Sequence, residues 1–102
     1  MVEKIIWSAE SLDDIDAIAE FIARDSEHHA MRVVDQILAM GEAIADQPRS
    51  GRVVPELQNE NIREKFIYSY RLIYQIAPNT ILIIAVIHGK RLLDAMDDRL
   101  EQ

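Results

Sequence analysis

Apolar residues recur along the first half of the chain at helical spacing, in two separate series. The first series follows Ser8, a residue type that favours a helix N-cap. Its members stand three or four positions apart, as on one face of a helix, and are Leu12, Ile15, Ile18, Ala19 and Ile22. The pattern predicts an amphipathic helix over residues 9–24.

The second series follows Asp25-Ser26-Glu27, which supplies another N-cap. Its members are Ala30, Val33, Val34, Ile37, Leu38, Gly41, Ile44 and Ala45. Because so few residues connect the two series, the two helices are expected to be antiparallel neighbours. Pro48 is expected to end the second helix, since proline cannot continue it.

The second half of the chain has the pattern of β-strands. Residues 62–68, 70–76 and 80–87 are rich in β-branched and aromatic side chains, and so is the short segment 2–7. Residues 77–80 form a plausible hairpin turn. The sequence therefore predicts one α+β domain over residues 1–102, of order β-α-α-β-β-β. In it the N-terminal strand and the helical hairpin pack on a small antiparallel sheet.

The last predicted strand is apolar on both faces. Strict alternation assigns Leu82, Ile84 and Val86 to one face and Ile81, Ile83, Ala85 and Ile87 to the other. The helical hairpin can bury only one of these sets. Either a partner protein covers the other set, or a short C-terminal helix over residues 91–101 folds back on it, and the sequence favours neither alternative.

Charge is distributed unevenly along an acidic chain. The net charge is -7, which argues against a general nucleic-acid binder. Residues 1–61 hold five basic and thirteen acidic side chains, a balance of -8, and residues 62–102 hold six basic and five acidic, a balance of +1. The C-terminal half is therefore expected to present a local cationic surface.

Several sites and locations are not expected. The absence of cysteine excludes disulfides and thiolate metal sites. His28 and His29 are adjacent, about 100° apart on a helix, so they cannot both face one metal ion. We therefore expect no metal and no cofactor. The N-terminus lacks the pattern of a signal peptide, and residues 81–87 fall far short of the roughly 20 that span a bilayer, so a cytoplasmic protein is expected.

The basic side chains are expected to gather at the tips of the strands. In an antiparallel meander His88 and the cations Lys90 and Arg91, at the end of the last strand, approach Arg71. Together these side chains would form a cationic rim. Two cations of the predicted strand 62–68, Arg63 and Lys65, would extend it.

Such a rim has the groups that ribonucleolytic transesterification requires. Arg71 would clamp the phosphate, His88 would protonate the departing oxygen, and Glu56 is the nearby carboxylate able to act as general base. Composition alone supports this only weakly, and each residue also has a structural interpretation. Arg71 and Glu56 would then pair with each other, and His88 would be hydrogen-bonded to backbone at a strand end.

Four segments, taken in order, resemble toxins of the RelE/ParE superfamily, the toxin halves of bacterial type II toxin–antitoxin modules. These segments are QPRSGRVVPEL, IRE, YRLIYQI and AVIHGKR. The signature elements are Pro48, Gly51, Arg52, Glu56, Arg63, Tyr70-Arg71, Tyr74, His88 and Arg91. The resemblance covers nearly the whole chain, from the helical hairpin to the last strand.

The resemblance implies one of two biochemistries. RelE-like members cut messenger RNA on the ribosome, whereas ParE-like members poison DNA gyrase and are not known as ribonucleases. The chain is most like ParE because it is acidic, ends its last strand in an H-G-x-R motif at His88 to Arg91, and has no aromatic residue after that strand. On this interpretation it is not an enzyme, and Arg63, Lys65, Arg71, His88, Lys90 and Arg91 form the surface that binds gyrase or the antitoxin.

The resemblance also implies a cognate ParD-like antitoxin, and a role in plasmid stabilisation and growth arrest. The alternative is a RelE- or YoeB-like ribosome-dependent mRNA endoribonuclease, an enzyme in which Glu56, Arg71 and His88 act as base, clamp and acid.

Overall fold

The computed structural model describes residues 4–89 and Arg99, and it confirms the predicted α+β architecture. The two helices are α1 (Ala9–Ala23) and α2 (Glu27–Ala43), followed by two 3-10 turns at Ile44–Asp46 and Pro48–Ser50. The strands are β1 (Lys4–Trp7), β2 (Arg52–Val53), β3 (Ile62–Ile67), β4 (Tyr70–Ala77) and β5 (Thr80–His88). Neither helix of this described part is long and apolar enough to cross a membrane. Among the strands of residues 4–89, only the two-residue β2 was not predicted.

The five strands form one mixed sheet of order β1-β5-β4-β3-β2. Strands β2 to β5 are antiparallel to their neighbours, as predicted, but β1 pairs in parallel with β5, from Lys4 opposite Thr80 to Trp7 opposite Ile83. The predicted antiparallel sheet is thus present as β2 to β5, and β1, which was expected to pack on this sheet, joins it as a parallel edge strand. A parallel pair needs a long crossover, which the helices and the other strands between β1 and β5 supply.

Both predicted N-caps begin their helices. The Ser8 hydroxyl accepts a hydrogen bond from the Ser11 amide at 3.0 Å, and the Ser26 hydroxyl accepts one from the His29 amide at 3.1 Å. The interior glycine of α2, Gly41, lies against β1. A Cβ atom there would come within 2.3 Å of the Trp7 ring, so glycine permits the close approach of helix and strand.

A β-bulge interrupts the alternation of β5. Tyr74 pairs with Ile83 and Ile73 pairs with Ala85, so Ile84 is an extra residue on β5. The prediction that Ile84 and Val86 share a face was wrong, because one inserted residue reverses the faces of all residues after it.

The helix face, defined here as the side of the sheet packed on α1 and α2, carries the larger apolar cluster. Its buried members are Ile15, Ile18, Val33, Ile37, Ile44, Leu72, Tyr74, Ile81, Ile83 and Val86. The opposite side, the second face, carries a smaller cluster of Val54, Ile62, Ile73, Ile84 and Ala85. Val54 and the half-buried Leu57 belong to the segment between β2 and β3. This segment of the chain itself therefore contributes to the second face, a cover that neither predicted alternative included.

Side chains close the edge of β5 beyond the end of β1. The Asp14 carboxylate accepts a hydrogen bond from the Val86 amide at 2.9 Å. Arg99, which is helical, donates to both oxygens of Asp14 and to the Ile84 carbonyl. Arg99 thus ties the C-terminal part of the chain to α1. The rest of the predicted tail helix over residues 91–101 lies outside the described residues.

Candidate functional site

Arg71 lies near the start of β4, and its side chain projects from the second face with only 5% of its surface exposed. Its two terminal nitrogens donate to the two oxygens of Glu56 at 2.9 and 3.0 Å, while Nε donates to Glu64. The first terminal nitrogen also donates to the Gly89 carbonyl at 3.2 Å. These contacts occupy four of the five N–H donors of a guanidinium. The bonds to Glu56, and then those to Glu64, raise the pKa of Arg71 above its ordinary value.

Glu64 of β3 stands at the centre of this cluster and is fully buried. One of its oxygens accepts from Arg71 and the other accepts from Nε of Arg52, whose side chain is 59% exposed. Glu56, Arg71, Glu64 and Arg52 therefore form a continuous ion-pair chain across the second face. Such a chain satisfies the two buried charges, each of which would be very costly alone.

Sequence reasoning missed Glu64, although a signal for it existed. A two-residue connection between β3 and β4 places Phe66 opposite Arg71, so alternation puts Glu64 on the same face as Arg71. Glu64, two positions before Phe66, was therefore the expected ion-pair partner of a buried Arg71.

Glu56 lies in the turn between β2 and β3, with 32% of its side chain exposed. The turn is closed by a hydrogen bond from the Leu57 amide to the carbonyl of buried Val54. Hydrogen bonds from Arg71 hold the pKa of Glu56 below its ordinary value. A carboxylate whose two oxygens already accept from a guanidinium is a weak general base, so this contact matches the structural alternative of an Arg71–Glu56 pair.

His88 ends β5 and is exposed. It stands opposite Tyr70, and the two rings meet edge to face with centroids 6.1 Å apart. The next pair along the strands is Arg71 opposite Ile87, which faces the other way. Arg71 and His88 therefore project from opposite faces of the sheet, and the predicted convergence of a phosphate clamp and a general acid is not present.

The two cations of β3 also lie apart from the ion-pair chain. Arg63 and Lys65 alternate with Glu64 and so project to the helix face. The Arg63 guanidinium donates to three carbonyls, those of Glu60, Arg49 and Gly51. Lys65 donates to the Ser50 hydroxyl at 3.2 Å. The single cationic rim expected from the sequence is thus divided between the two faces, and its last members, Lys90 and Arg91, lie outside the described residues.

Three of the signature residues have a structural role. The buried Tyr74 hydroxyl donates to the Pro48 carbonyl at 2.7 Å and accepts from the Gly51 amide at 3.0 Å. A Cβ atom on Gly51 would lie 2.6 Å from this hydroxyl oxygen, so only glycine fits. Burial raises the pKa of Tyr74. These contacts hold the segment after α2 against β4.

The described residues do not bring the candidate catalytic groups together on one face of the sheet. Arg71 and Glu56 neutralise each other, and His88 has neither of them on its own face. Across residues 4–89 and Arg99, no group of three or more histidine, aspartate or glutamate side chains is placed to hold a metal ion. The candidate residues that lie outside the ion-pair chain are His88, which is exposed at the end of β5, and Arg63 and Lys65, which are half-buried on β3.

Comparison with known proteins identifies the family. The sequence model of the ParE toxin of the type II toxin-antitoxin system, parDE, matches residues 5–93. No curated protein matches the sequence. Among solved structures, the chromosomal ParDE toxin–antitoxin system from P. aeruginosa is similar with a TM-score of 0.72 and 14% sequence identity, over 85% of this chain and 96% of that one.

A RelE structure and a RelBE2 structure are also similar. A double mutant of the toxin RelE from E. coli, in the free state, has a TM-score of 0.68 at 14% identity, over 99% of this chain and 97% of that one. The RelBE2 toxin–antitoxin complex from Mycobacterium tuberculosis has a TM-score of 0.63 at 15% identity, over 86% of this chain and 99% of that one. At these identities the likeness concerns the fold alone, whereas the sequence match covers most of the chain. The chain belongs to the ParE toxin family of type II toxin–antitoxin systems.

Proposed function

We propose that this protein is a cytoplasmic toxin that arrests growth by inhibiting DNA gyrase through protein contact, and that a ParD-like antitoxin neutralises it. Such an activity would serve plasmid stabilisation. Membership of the ParE family supports the toxin role. The similarity to a ParDE system and to a RelBE2 complex supports an antitoxin partner.

The observation that carries the choice of a gyrase poison over a ribonuclease is the state of Arg71. A phosphate clamp needs donors that a substrate can reach, yet Arg71 is buried and four of its donors are occupied. A substrate phosphate would first have to displace Glu56, which accepts from both terminal nitrogens of that guanidinium. His88 projects from the opposite face, so the proposed proton donor His88 and the proposed phosphate clamp Arg71 do not face the same substrate.

Within this proposal the end of β5 is the target surface. His88 is exposed there, and Lys90 and Arg91 follow it in the sequence. Arg71 acts as a positioning residue, because it holds the Gly89 carbonyl next to His88. Arg63 and Lys65 lie on the same face as His88 and extend the surface.

Purified protein incubated with gyrase and relaxed plasmid tests the proposal. We expect supercoiling to fall in proportion to the amount of toxin, and His88→Ala to weaken this inhibition. His28→Ala is a matched control, since His28 is equally exposed but lies on α2. Full supercoiling in the presence of toxin, at concentrations that stop growth, would rule out gyrase as the target.

Expression of the toxin in growing cells tests the alternative that the toxin is a ribonuclease. When the toxin is expressed without an antitoxin, we expect growth to stop while transcripts remain intact. Cleavage of transcripts that depends on translation and is lost in Arg71→Lys would instead support the ribonuclease. Normal growth would contradict both toxin mechanisms.

A further inference from the structure

Tyr68 occupies the turn between β3 and β4 in a backbone conformation that a bulky residue rarely adopts. Its φ angle is 54°, in the left-handed region that glycine and asparagine enter most readily. The residue is 54% exposed, so burial of the ring offsets little of this strain. The stability of the turn alone would favour glycine at this position, and the presence of tyrosine therefore requires another explanation.

Contacts with α2 fix the direction of the Tyr68 ring. The hydroxyl donates to the side-chain carbonyl oxygen of Gln36, and the His29 ring meets the phenol ring edge to face, with centroids 6.3 Å apart. Because both partners belong to α2, the ring lies on the helix face of the sheet. An exposed ring that is already held in one orientation loses little conformational entropy when another protein contacts it.

The same turn is bonded to the end of β5. The Ser69 carbonyl accepts a hydrogen bond from the Gly89 amide at 3.0 Å. Tyr70, the next residue, stands opposite His88, and the two rings meet edge to face. On the helix face, this end of the molecule therefore carries two neighbouring pairs of a tyrosine and a histidine. We call these four side chains the aromatic end: His29, Tyr68, Tyr70 and His88.

We propose that the aromatic end is the surface with which the toxin contacts its target, and that Tyr68 and His29 extend this surface from β5 onto α2. This inference rests on the proposed function, a toxin that acts by protein contact. It adds the β3–β4 turn and one position of α2 to the target surface at His88. Tyrosine is enriched among the residues that dominate the energy of protein interfaces, because one rigid ring supplies both apolar area and a hydroxyl.

The composition of the aromatic end favours a protein as its occupant. None of the four side chains is a lysine, an arginine or a carboxylate, so the surface offers no cationic clamp for phosphates. Phenol and imidazole rings combine apolar area with single hydrogen-bonding groups, which suits a partly polar protein surface. Continuity with the strand end at His88 assigns the surface to the target rather than to the antitoxin.

The variant Tyr68→Gly tests the proposal because it separates function from stability. Glycine adopts a positive φ without strain, so relief of strain offsets the lost contacts and the melting temperature should stay close to that of the original protein. The toxin concentration that halves supercoiling by purified gyrase should nevertheless rise at least about tenfold, as expected when an interface loses a central aromatic side chain. Tyr68→Phe keeps the ring, and its half-inhibiting concentration should stay within about threefold of the original value.

A second variant and two matched controls complete the gyrase assay. His29→Ala, which involves no strained backbone, should also raise the half-inhibiting concentration, whereas His28→Ala, equally exposed on the same helix, should not. Phe21→Ala removes an exposed aromatic ring from α1 and should stay within about twofold of the original protein. Unchanged inhibition by both Tyr68→Gly and His29→Ala would overturn the proposal and leave an antitoxin as the occupant of this surface. An equal loss in the two controls would also overturn it.

Growth arrest in cells separates this proposal from the choice of gyrase as the target. When the proteins are expressed at equal levels without an antitoxin, Tyr68→Gly should slow growth less than Phe21→Ala does, whichever protein is the target. A toxin that arrests growth but leaves purified gyrase active would contradict the gyrase proposal alone, and the ranking of the variants in cells would then decide the role of the aromatic end. Equal arrest by the original protein, Tyr68→Gly and Phe21→Ala would show that the aromatic end does not contact the target.

Discussion

The two faces of the sheet are buried by different means. On the helix face, nine of the ten buried residues of the apolar cluster are aliphatic, and Tyr74 is the tenth. On the second face, a cluster of five buried apolar residues lies beside a chain of four charged side chains. One sheet thus combines a core that excludes water with a surface whose buried charges cancel.

The two faces should therefore respond differently to mutation. Burial of apolar groups contributes about 0.8 kcal/mol for each methylene, so small changes on the helix face have graded costs. An ion pair recovers little more than the desolvation energy of its members, yet losing one member leaves the other uncompensated. The second face should depend on the completeness of the ion-pair chain more than on any single contact in it.

Removing Glu64 should have the largest effect. Glu64→Leu leaves Arg71, which is nearly buried, with only Glu56 as an anionic partner. We expect the free energy of unfolding to fall by about 3–5 kcal/mol, as is typical when one partner of a buried ion pair is lost. Urea unfolding followed by circular dichroism measures the change.

The double variant Glu64→Leu/Arg71→Met sharpens this test. Since Glu56 and Arg52 reach solvent, removal of both buried charges should restore most of the loss. Ile37→Val gives the reference for the helix face, where about 0.5–1.5 kcal/mol is expected. A double variant less stable than Glu64→Leu alone would show that packing, and not an unpaired charge, sets the cost.

Tyr74→Phe should have an intermediate effect. It leaves the Pro48 carbonyl and the Gly51 amide without their partner in a buried place, at a cost of about 1–3 kcal/mol in the free energy of unfolding. Tyr68→Phe is the control, because Tyr68 is exposed and its hydroxyl bonds Gln36 at the surface. A change within about 0.5 kcal/mol is expected there.

Alkaline pH adds a second measurement for Tyr74. Burial raises its pKa in the folded state above the ordinary value of 10.0. Its contribution to stability is therefore complete below pH 10, and it is lost as the pH rises through the folded-state pKa. Tyr74→Phe should lack this part of the alkaline decline. An equal decline in both proteins would contradict the assignment.

The fold was largely predictable because its signals are local. The apolar spacing and the serine N-caps defined both helices, and β-branched segments defined the main strands. The bulge at Ile84 was not predictable, since it depends on how β4 and β5 pair rather than on either strand alone. The parallel pairing of β1 with β5 likewise depends on contacts between residues about 75 positions apart, which no local pattern encodes.

The site was only partly predictable, for a related reason. The sequence offered an Arg71–Glu56 pair as one alternative, and that contact is present. It could not place Arg71 and His88 on opposite faces without the register of β4 and β5. Glu64 was missed because a charged residue in a strand is ordinarily exposed, and only a buried arginine across the hairpin makes its burial favourable.

Replacing Glu56 should have the smallest effect on the free energy of unfolding. The comparison with Glu64 distinguishes the exposed end of the ion-pair chain from its buried centre. The pKa of Glu56 is lowered by hydrogen bonds from Arg71. A carboxylate with a lowered folded-state pKa stabilises the fold above its unfolded pKa, near 4.5, and this contribution is lost as the pH falls through the folded-state value. Because about a third of the side chain is exposed, solvent screens the pair, and Glu56→Gln should cost about 1 kcal/mol or less at neutral pH.

The pH dependence of that variant distinguishes charge from packing. In the original protein, the free energy of unfolding should decline from about pH 5 downward, and Glu56→Gln should show a flatter decline because glutamine does not titrate. Glu60→Gln, an exposed carboxylate of the same loop, serves as the control and should follow the original curve. If Glu56→Gln instead runs parallel to the original protein at every pH, the Arg71–Glu56 contact contributes only through packing, and the ion-pair chain begins at Glu64.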